Sequence, residues 1–481
     1  MYIVVIDQGT SSTRAMIFNT LGQILCSSAY SITQYYPQPG WVEHCPEEIW
    51  KLTLQALREV CQQVDIQQII ACGITNQRET TVAWDKSTGN SLHHAIVWQD
   101  RRTQDFCDTI KDLESTIIEK TGLKCDPYFS ASKINWLLQQ LSTNHHQLAI
   151  GTIDSFLLWR LTGGKVHRTD ITNASRTMLF NIHQQCWDNE LLKAFNIPDA
   201  ILPEVCDSDF HFGNFEIGIV GREIPIYAIL GDQQAASLGV GCIQSGNTKV
   251  TYGTGGFVMQ NTGNHAHQSQ SGLLTTIAYR AKFQTNFALE GNIYDVGSTV
   301  HWLRNELKLF KKYSETSVMA NSVEDNDGVY FIPAFSGIGA PHWINHTGAS
   351  FVGMSRATSK AHLVRAVLES VVYQTMDILH ALKQDTQLPI TSLIIDGGMA
   401  MNQWLTQFLA NICQIEINIP NTFENTAKGV AMLAMVSANN DYSLTTIASD
   451  WQQFHSIKPQ ATSRQPYYDW LEHIEKFKTI T

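Results

Sequence analysis

The sequence of 481 residues predicts an α/β protein of two domains, each built on a mixed β-sheet with helices covering its faces. Three observations support this prediction. The chain opens with three adjacent strand-like segments, after which short apolar strands alternate with amphipathic helices. The order strand–strand–strand–helix then returns near residue 247. No low-complexity linker separates the halves, so we expect them to meet over a broad surface with a cleft between them.

The first strand opens a hairpin with a polar tip. The run at 2–6 is apolar and too short for a helix, which indicates a strand buried on both faces. Asp7 lies where this strand ends, Gly9 permits a tight turn, and hydroxyl side chains and Arg14 crowd the tip. A carboxylate beside several donors and a cation suits a metal–polyphosphate ligand. An ordinary hairpin with a solvated tip is the alternative.

In the rest of the first half, apolar runs, turn residues and helix-start signals predict a turn, a helix and several short strands. A turn at 19–22 leads to a third strand at 23–30. A helix begins at Pro46, because proline suits the first turn and Glu47 and Glu48 follow near the positive end of the helix dipole. Further short strands are expected at 69–74, 81–84 and 95–98.

The second half repeats the opening. A strand at 248–252 runs into the glycine cluster 253–256, and a second strand leaves at 257–260, which places the domain boundary near 240–247. The polar and aromatic tail beyond about residue 445 has no predicted element. Later strands are expected at 273–279, 283–289, 393–395 and 415–419, and helices at about 296–303, 363–382, 402–413 and 426–437.

The composition excludes several classes of protein. Apolar residues make up 43% and charged residues 16% of the chain, which is typical of a globular protein with large cores. The net charge of −11 argues against a general binder of nucleic acid or anionic membranes. No apolar run approaches the roughly 18 residues of a membrane span, and charged residues interrupt the N-terminal apolar stretch, unlike in a signal peptide. The ten cysteines lack a C-x-x-C pair, so the pattern favours a soluble protein of a reducing cytoplasm.

Polar residues at the ends of predicted strands are candidates for chemistry, because ligands bind at strand ends in such sheets. Arg78 and Glu79 follow the strand at 69–74 and offer donors and acceptors side by side, as a polyol or sugar requires. A surface ion pair is the alternative. Asp232 follows an apolar strand where a helix opens, so it could accept a proton from a substrate hydroxyl or simply cap the helix.

Two glycine-containing segments could contact a nucleotide. The exposed amides of 253–256 could bind phosphate oxygens, although such clusters more often make turns. The segment 394–402 breaks a strand at glycines, where adenine or ribose could lie against bare backbone; an ordinary strand–helix junction is the alternative. Neither G-x-x-x-x-G-K-[ST] nor a G-x-G-x-x-G that follows a strand is present, so no P-loop or Rossmann fingerprint is expected.

Longer segments match motifs of a known family. The stretch 7–14, Asp-Gln-Gly-Thr-Ser-Ser-Thr-Arg, looks like a first phosphate loop, and 128–140 and 349–369 fit two family signatures. On these matches the chain resembles the FGGY carbohydrate kinases over nearly its whole length, and most closely the members that phosphorylate glycerol. The segments that resemble those members specifically are 36–44, 73–81, 98–103, 126–130 and 172–181.

The resemblance implies two ribonuclease H-like domains of the actin–hexokinase type that meet in a cleft. The N-terminal domain, 1–245, would hold glycerol, the phosphates and Mg²⁺, and the C-terminal domain, 246–481, would hold the nucleoside. The implied reaction is phosphoryl transfer from Mg-ATP to the terminal hydroxyl of glycerol, which yields sn-glycerol 3-phosphate and ADP. The implied partners are glycerol and ATP, with no nucleic acid and no membrane, in a cytoplasmic homo-oligomer that is a dimer or a tetramer.

The matching motifs also imply roles for single residues. Asp232 would be the general base, and Asp7 would position Mg²⁺ through water. The carbon backbone of glycerol would pack on Trp98 and Phe257. The glycerol hydroxyls would be held by Arg78, Glu79, Tyr128, Asp232 and Gln233. The phosphates would contact Thr10, Ser11, Ser12, Arg14 and Thr254, and the nucleoside would lie near Gly297, His301, Gly398 and Asn402.

Two other functions remain open at this point. The first is a kinase of the same family for another polyol or sugar, and the second is a non-catalytic nucleotide-binding sensor on the same fold. The segments around Arg78, Trp98 and Tyr128 argue against the first. The presence of both Asp7 and Asp232 argues against the second.

Overall fold

The structure, a computed structural model, describes residues 1–141, 146–344, 348–439 and 441–479. Its strands are β1 (Tyr2–Gln8), β2 (Ser12–Asn19), β3 (Ile24–Ser31), β4 (Gln34–Tyr35), β5 (Glu43–His44), β6 (Ile69–Asn76), β7 (Thr81–Asp85), β8 (Ala95–Ile96), β9 (Leu148–Thr152), β10 (Arg168–Asp170), β11 (Phe180–Asn181), β12 (Cys186–Trp187), β13 (Glu204–Cys206), β14 (Gly213–Asn214), β15 (Pro225–Gly231), β16 (Thr248–Tyr252), β17 (Gly256–Gly263), β18 (Leu274–Ala281), β19 (Gln284–Ile293), β20 (Tyr330–Ile332), β21 (Ser350–Val352), β22 (Ser392–Asp396), β23 (Glu416–Pro420) and β24 (Phe454–Ile457). Its helices are α1 (Pro46–Cys61), α2 (Gln104–Thr109), α3 (Glu114–Thr121), α4 (Ser130–Gln140), α5 (Ile153–Leu161), α6 (Ile171–Ala174), α7 (Asn189–Ala194), α8 (Ile217–Val220), α9 (Asp232–Gly239), α10 (Gly297–Asn305), α11 (Glu315–Asn321), α12 (Lys360–Thr386), α13 (Gln403–Cys413), α14 (Asn425–Ala438), α15 (Leu444–Trp451) and α16 (Gln465–Thr479).

A six-stranded mixed sheet forms the centre of the first half, in the order β14-β15-β6-β1-β2-β3. Strands β1, β2 and β3 are antiparallel neighbours, whereas β6 runs parallel to both β1 and β15. The opening hairpin is confirmed. Val4 and Ile6 of β1 enter the core under α1, while Ile3 and Val5 enter a second core on the opposite face. Both faces of β1 are therefore buried, as its unbroken apolar run predicts.

The second half contains a seven-stranded sheet in the order β18-β19-β17-β16-β22-β23-β24. Its hairpin β16–β17 and the parallel neighbours β22 and β23 repeat the arrangement around β1 and β2. The third strand of this repeat is β19 rather than β18, because β17 pairs with β19 and leaves β18 at the edge. The order of strands along the chain therefore predicts the repeat. In the sheet, however, β18 and β19 have changed places relative to their order in the chain.

The tail, for which the sequence predicts no element, completes this second sheet. Strand β24 pairs antiparallel with β23, in the same way that β14 pairs with β15 at the edge of the first sheet. Helix α16 places Tyr467, Trp470 and Ile474 in the core of the second half. The repeat between the halves therefore extends to the outer strand and includes the tail.

Strands β7 and β8 do not extend the first central sheet. They lie in a separate five-stranded sheet in the order β4-β5-β8-β7-β9. A small core that includes Ile96, Ile134 and Ile150 lies beneath this sheet. The expectation of one mixed sheet in the first half is therefore wrong for residues 81–98, because these strands pair with β9 and with β5, which follows the proline-containing loop.

Helix α14 of the second half packs on the sheet of the first half. Val430 and Met432 share one apolar core with Ile3 and Val5 of β1. Helix α9, which leads away from β15, crosses α14 at backbone contact distance. A Cβ atom on Gly239 would lie 1.8 Å from the backbone carbonyl oxygen of Asn425, the first residue of α14. The two halves therefore meet over a broad apolar surface.

Two further features of the structure are its lack of a described membrane-spanning helix and the state of its cysteines. Within the part of the chain that the structure describes, no helix is long and apolar enough to cross a membrane. All ten cysteines are free thiols, and most of them are buried in the cores, as their positions in apolar runs predict.

Candidate active site

The turn after β6 places Arg78 and Glu79 where the first half meets Glu290 of the second half. The Thr80 amide donates to the Arg78 carbonyl at 2.7 Å, and Glu79 adopts the left-handed backbone conformation, with φ of 60°. Both side chains are at most 2% exposed, so the alternative of a surface ion pair is wrong. Arg176 Nε donates to the Glu79 carboxylate at 2.7 Å, and this hydrogen bond helps to hold Glu79 in its uncommon conformation.

Asp232 lies at the first position of α9, directly after β15. Gly231 is the N-cap of α9, so the alternative of a capping aspartate is wrong. A Cβ atom on Gly231 would lie 2.8 Å from the Arg78 side chain, which explains why glycine precedes Asp232. Oδ1 of Asp232 accepts from the Gln233 amide at 2.7 Å and lies 3.5 Å from Arg78 Nε. The structure thus brings Arg78, Glu79 and Asp232 together.

The accessibility and pKa of Asp232 differ from those of its neighbours. Its side chain is 28% exposed, whereas that of Arg78 is 2% exposed, so Asp232 is the more accessible of the two. Burial in the cleft raises the pKa of Asp232 to about 6, with Arg78 opposing and Glu79 assisting the shift. A carboxylate with this pKa is ionised at neutral pH and can still accept a proton.

Trp98 connects Tyr128, a candidate substrate residue, to the tip of the first hairpin. Its indole Nε1 donates to the Thr10 hydroxyl at 2.9 Å. Its ring meets the Tyr128 ring edge to face at a centroid distance of 5.5 Å. Burial raises the pKa of the Tyr128 phenol well above its usual value, so Tyr128 is a neutral hydrogen-bond donor. Lys133 of α4 donates to the Tyr128 carbonyl at 2.5 Å and holds this loop in place.

The second sheet presents one face of β16, β17 and β19 to these residues. Met259 is paired in register with both Lys249 and Glu290, and Phe257 lies two residues from Met259, so all four side chains share a face. Lys249 Nζ donates to the Gln233 side-chain oxygen at 3.2 Å. Phe257 and Gln233 therefore lie at the point where the two halves meet.

The tip of the first hairpin carries the acidic side chain, Asp7, and the basic side chain, Arg14, of the predicted phosphate loop. Asp7 Oδ2 forms a salt bridge with Arg14, and Arg14 also donates to Glu424, just before α14, at 2.5 Å. Burial raises the pKa of the Asp7 carboxyl, and the opposing effect of Arg14 is smaller. Ser11 is exposed and Ser12 is half-buried at the tip, where both can contact a ligand.

The glycine loop after β16 packs on the N-terminus of α10. The Gly297 amide donates to the Gly253 carbonyl at 3.0 Å, and the Val296 and Ser298 amides both donate to the Thr254 carbonyl at 3.1 Å. A Cβ atom on Gly297 would lie 2.5 Å from the Gly253 carbonyl oxygen, so only glycine fits there. Thr254 is exposed at the tip of this loop.

Two of the remaining nucleoside candidates, His301 and Asn402, contact residues in or just before α11. His301 Nδ1 lies 2.8 Å from the Tyr313 hydroxyl, and Asn402 Nδ2 donates to the Thr316 hydroxyl at 3.0 Å. Thr316 in turn donates to the Tyr313 carbonyl at 2.7 Å. Gly398 is exposed, and a Cβ atom there would meet nothing within 4 Å. A bound base or ribose could therefore approach the backbone at Gly398.

Four charged residues of the cleft escaped prediction from the sequence. Lys249 and Glu290 are each the single charged residue of an otherwise uncharged strand, a usable signal, because a charge in a buried strand needs a partner. Arg176 lies within one of the motifs that carry the resemblance, but its position there indicates no role. Glu424 lies in a polar loop, and no local pattern distinguishes it.

Comparison with known proteins agrees with this architecture. Residues 2–239 match the N-terminal domain of the FGGY family of carbohydrate kinases, and residues 248–438 match its C-terminal domain. The glycerol kinase of Coxiella burnetii (strain Dugway 5J108-111) is 46% identical over 99% of this chain and 98% of the relative. The glycerol kinase of Gluconobacter oxydans (strain 621H) is 48% identical over 96% of this chain and 92% of the relative.

Solved structures share the fold. The crystal structure of Plasmodium falciparum glycerol kinase with ADP matches with a TM-score of 0.93 at 34% identity, over 99% of this chain and 98% of that chain. The ligand-bound xylulose kinase from Lactobacillus acidophilus matches with a TM-score of 0.90 at 22% identity, over 99% and 98% of the two chains, which shows a common fold. The predicted α/β architecture of two domains is confirmed. The chain belongs to the FGGY family of carbohydrate kinases.

Proposed function

We propose that this chain transfers the γ-phosphoryl group of ATP to a terminal hydroxyl of glycerol, forming sn-glycerol 3-phosphate and ADP in glycerol catabolism. The grouping of Arg78, Glu79 and Asp232 in one part of the cleft carries the proposal, because a small triol needs several polar partners within one pocket. Relatives named glycerol kinase, 44–48% identical to this chain, support glycerol over other acceptors.

In the proposed complex the pocket recognises glycerol with polar groups on one side and aromatic rings on the other. The charged and amide side chains and the neutral Tyr128 hydroxyl bind the hydroxyl groups, while two rings flank the three carbons. The polar set is Arg78, Glu79, Tyr128, Asp232 and Gln233, and the aromatic set is Trp98 and Phe257.

Asp232 is the proposed general base. The terminal oxygen of glycerol forms a bond to the γ-phosphorus, and the bond between that phosphorus and the β,γ-bridging oxygen breaks. ADP leaves with the bonding electrons, and the hydroxyl proton passes to Asp232. The pKa of about 6 supports this role, because it combines an ionised carboxylate at neutral pH with the basicity that proton transfer requires.

The two hairpin tips are proposed to hold the polyphosphate of ATP between them. Arg14 neutralises phosphate charge, and hydroxyl and amide groups donate to the phosphate oxygens, which is the main contribution that a protein makes to phosphoryl transfer. The proposed phosphate contacts are Thr10, Ser11, Ser12, Arg14 and Thr254. The proposed nucleoside contacts are Gly297, His301, Gly398 and Asn402.

The phosphate side fits Mg²⁺. This ion prefers one or two carboxylates together with waters and substrate phosphates. Asp7 is a buried carboxylate beside the phosphate-loop hydroxyls, and we propose that it holds the ion through water. The described residues contain no group of three or more acidic, histidine or cysteine side chains able to hold a metal, so waters and phosphates must complete the shell. When bound, Mg²⁺ neutralises charge on the polyphosphate.

In this proposal the two halves of the chain mainly bind different ligands. We assign Mg²⁺ and most of the glycerol and phosphate contacts to residues 1–245. Residues 246–481 hold the nucleoside and add Phe257 to the glycerol contacts and Thr254 to the phosphate contacts. In the same proposal the enzyme is a cytoplasmic homo-oligomer, a dimer or a tetramer, as its family resemblance implies. Light scattering after size-exclusion chromatography measures the assembly, and a monomer at working concentration would contradict that part.

An acceptor panel tests the proposed reaction. ADP release from ATP is measured with glycerol, xylulose, gluconate and no acceptor, each at several concentrations. We expect the highest kcat/KM with glycerol, because the polar set matches three adjacent hydroxyls. Faster turnover of xylulose or gluconate would assign the chain to another member of the family. ATP binding without ADP release from any acceptor would identify a nucleotide sensor.

A further inference from the structure

A buried cluster of four charges lies beside the glycerol residues and joins the two halves of the chain. It consists of Arg78, Glu79, Arg176 and Glu290, and every side chain in it is at most 2% exposed. Three of these residues precede residue 245, whereas Glu290 projects from β19 of the second sheet. Glu290 is the contribution of the C-terminal half to the cluster.

Glu290 binds Arg78 through both carboxylate oxygens. Arg78 Nη1 donates to Oε2 at 2.8 Å, and Nη2 donates to Oε1 at 3.2 Å. Arg176 Nη2 also donates to Oε1 at 3.2 Å. Although burial acts in the opposite direction, Arg176 and Arg78 hold the pKa of Glu290 at about 2. Glu290 therefore stays ionised at working pH and cannot serve as a proton acceptor.

This clamp determines which edge of Arg78 faces the cleft. Because Glu290 takes both terminal nitrogens, Nε is directed towards Glu79 at 3.8 Å and Asp232 at 3.5 Å. A guanidinium is planar and rigid, so a two-point contact on one edge sets the orientation of the whole group. Two arginines and two glutamates also balance in charge, which offsets the cost of burying each of them.

We propose that Glu290 is a positioning residue for glycerol binding: from the opposite half of the chain it clamps Arg78 in the orientation that faces the substrate. Glu290 itself does not touch the substrate in this scheme. The inference rests on the proposed function and extends it, because it adds to Phe257 a second residue by which the nucleotide-binding half shapes the glycerol pocket.

The variant Glu290→Gln tests the proposal. Glutamine keeps the size of the side chain but turns one acceptor into an NH₂ group that faces an arginine donor. We expect the KM for glycerol to rise roughly 10- to 100-fold, the loss that corresponds to one charge-assisted hydrogen bond. The KM for ATP should stay unchanged and kcat should change less than the KM for glycerol, because the clamp acts on substrate binding. Steady-state rates with each substrate varied in turn measure these values.

Two further variants separate positioning from general stability. Glu369→Gln is the matched control, because Glu369 is also buried in the second half, where it pairs with Arg365 at 2.8 Å on α12. It should leave the KM for glycerol at the wild-type value. Glu290→Asp keeps the charge on a shorter side chain, so its KM should lie between those of wild type and Glu290→Gln.

The outcomes distinguish the inference from the function beneath it. Wild type that forms no ADP with glycerol overturns the proposed function. If wild type is active and Glu290→Gln keeps the wild-type KM for glycerol, whether or not kcat falls, the positioning role alone is overturned. Where Glu290→Gln does not fold, the KM of Glu290→Asp decides: a value equal to wild type overturns the inference, and a raised glycerol KM with unchanged ATP KM supports it.

Discussion

At the residue scale, one arginine contacts two carboxylates in different ways. Arg78 contacts Asp232 through Nε alone at 3.5 Å, whereas it binds Glu290 through two terminal nitrogens. Asp232 is partly open to the cleft and has a pKa of about 6, while Glu290 is enclosed and has a pKa of about 2. Environments that push two pKa values apart in this way separate a group that takes a proton from a group that stays charged.

Replacing the proposed base is the direct test at this scale. Asp232→Asn should lower kcat roughly 10²- to 10⁴-fold, because an amide cannot accept the hydroxyl proton. ATP binding, measured by calorimetric titration, should be unchanged, since Asp232 lies on the glycerol side. Asp188→Asn is a suitable control: Asp188 caps α7 and pairs with Lys120 rather than with a candidate site residue, and asparagine caps a helix equally well. Activity retained by Asp232→Asn would refute the assigned base.

The pH dependence of the reaction follows from the same carboxyl. Asp232 must be ionised to accept a proton, and its pKa in the free enzyme is about 6. We expect kcat/KM for glycerol to fall on the acid side of pH 6, approaching about tenfold per pH unit as the carboxyl becomes protonated. Initial rates in constant-ionic-strength buffers measure this limb. A limb near the usual aspartate value of about 4 would contradict the raised pKa.

At the scale of elements, the crossing of α9 and α14 connects the two halves without intervening side chains. A Cβ atom on Gly429 would lie 1.9 Å from the Ala235 carbonyl oxygen, and a Cβ atom on Gly239 would contact α14 equally closely. Backbone atoms cannot rotate away as side-chain atoms can. Since α9 begins at Asp232, this close contact also sets where the proposed base lies relative to the second half.

The variant Gly429→Ala should therefore destabilise the fold. We expect the free energy of unfolding to fall by about 3 kcal/mol or more, because the added methyl group overlaps backbone and forces the helices apart. This loss exceeds the gain of about 1 kcal/mol from replacing glycine within a helix. Urea denaturation measures the change. Gly218→Ala is the control, because a Cβ atom at Gly218 in α8 meets nothing within 4 Å, and equal stability losses in both variants would disprove the crossing.

At the scale of the whole molecule, the two sheets are linked by a common core and a common site. The core on the face of β1 that carries Ile3 and Val5 also contains side chains of α14 and α15 from the second half. Most of the proposed glycerol contacts come from the first half, yet Glu290 and Lys249 of the second half contact Arg78 and Gln233 among them. Stability of one half should therefore depend on the other, and ligands in the cleft should stabilise both.

Thermal unfolding tests this coupling. We expect one calorimetric transition whose Tm rises with either ADP or glycerol. Free ligand at 100 times its Kd stabilises a folded protein by about 2.7 kcal/mol. Xylulose at the same concentration serves as the control and should leave Tm unchanged. Two separate transitions, of which ADP moves only one, would show that the halves unfold independently.

The sequence alone predicts most of the central architecture. Apolar runs with turn residues between them identify the hairpins β1–β2 and β16–β17, and helical spacing identifies α1, α12 and α13. Motifs of the family locate the candidate residues of the cleft. Local patterns could not predict that 81–98 leave the central sheet, nor that the tail supplies β24, because strand pairing depends on partners far away in the chain.

By itself, then, the sequence determined the two-domain α/β fold and the family, and its glycerol and phosphate motifs marked the candidate site residues. Only the tertiary structure decided that Arg78 and Glu79 form part of a buried four-charge cluster rather than a surface pair. It alone brought Glu290, 212 positions away from Arg78, into contact with it. The physical reason is that burial and long-range pairing set the charge state and orientation of a side chain. Neither burial nor long-range pairing can be predicted from the residues next to it in the chain.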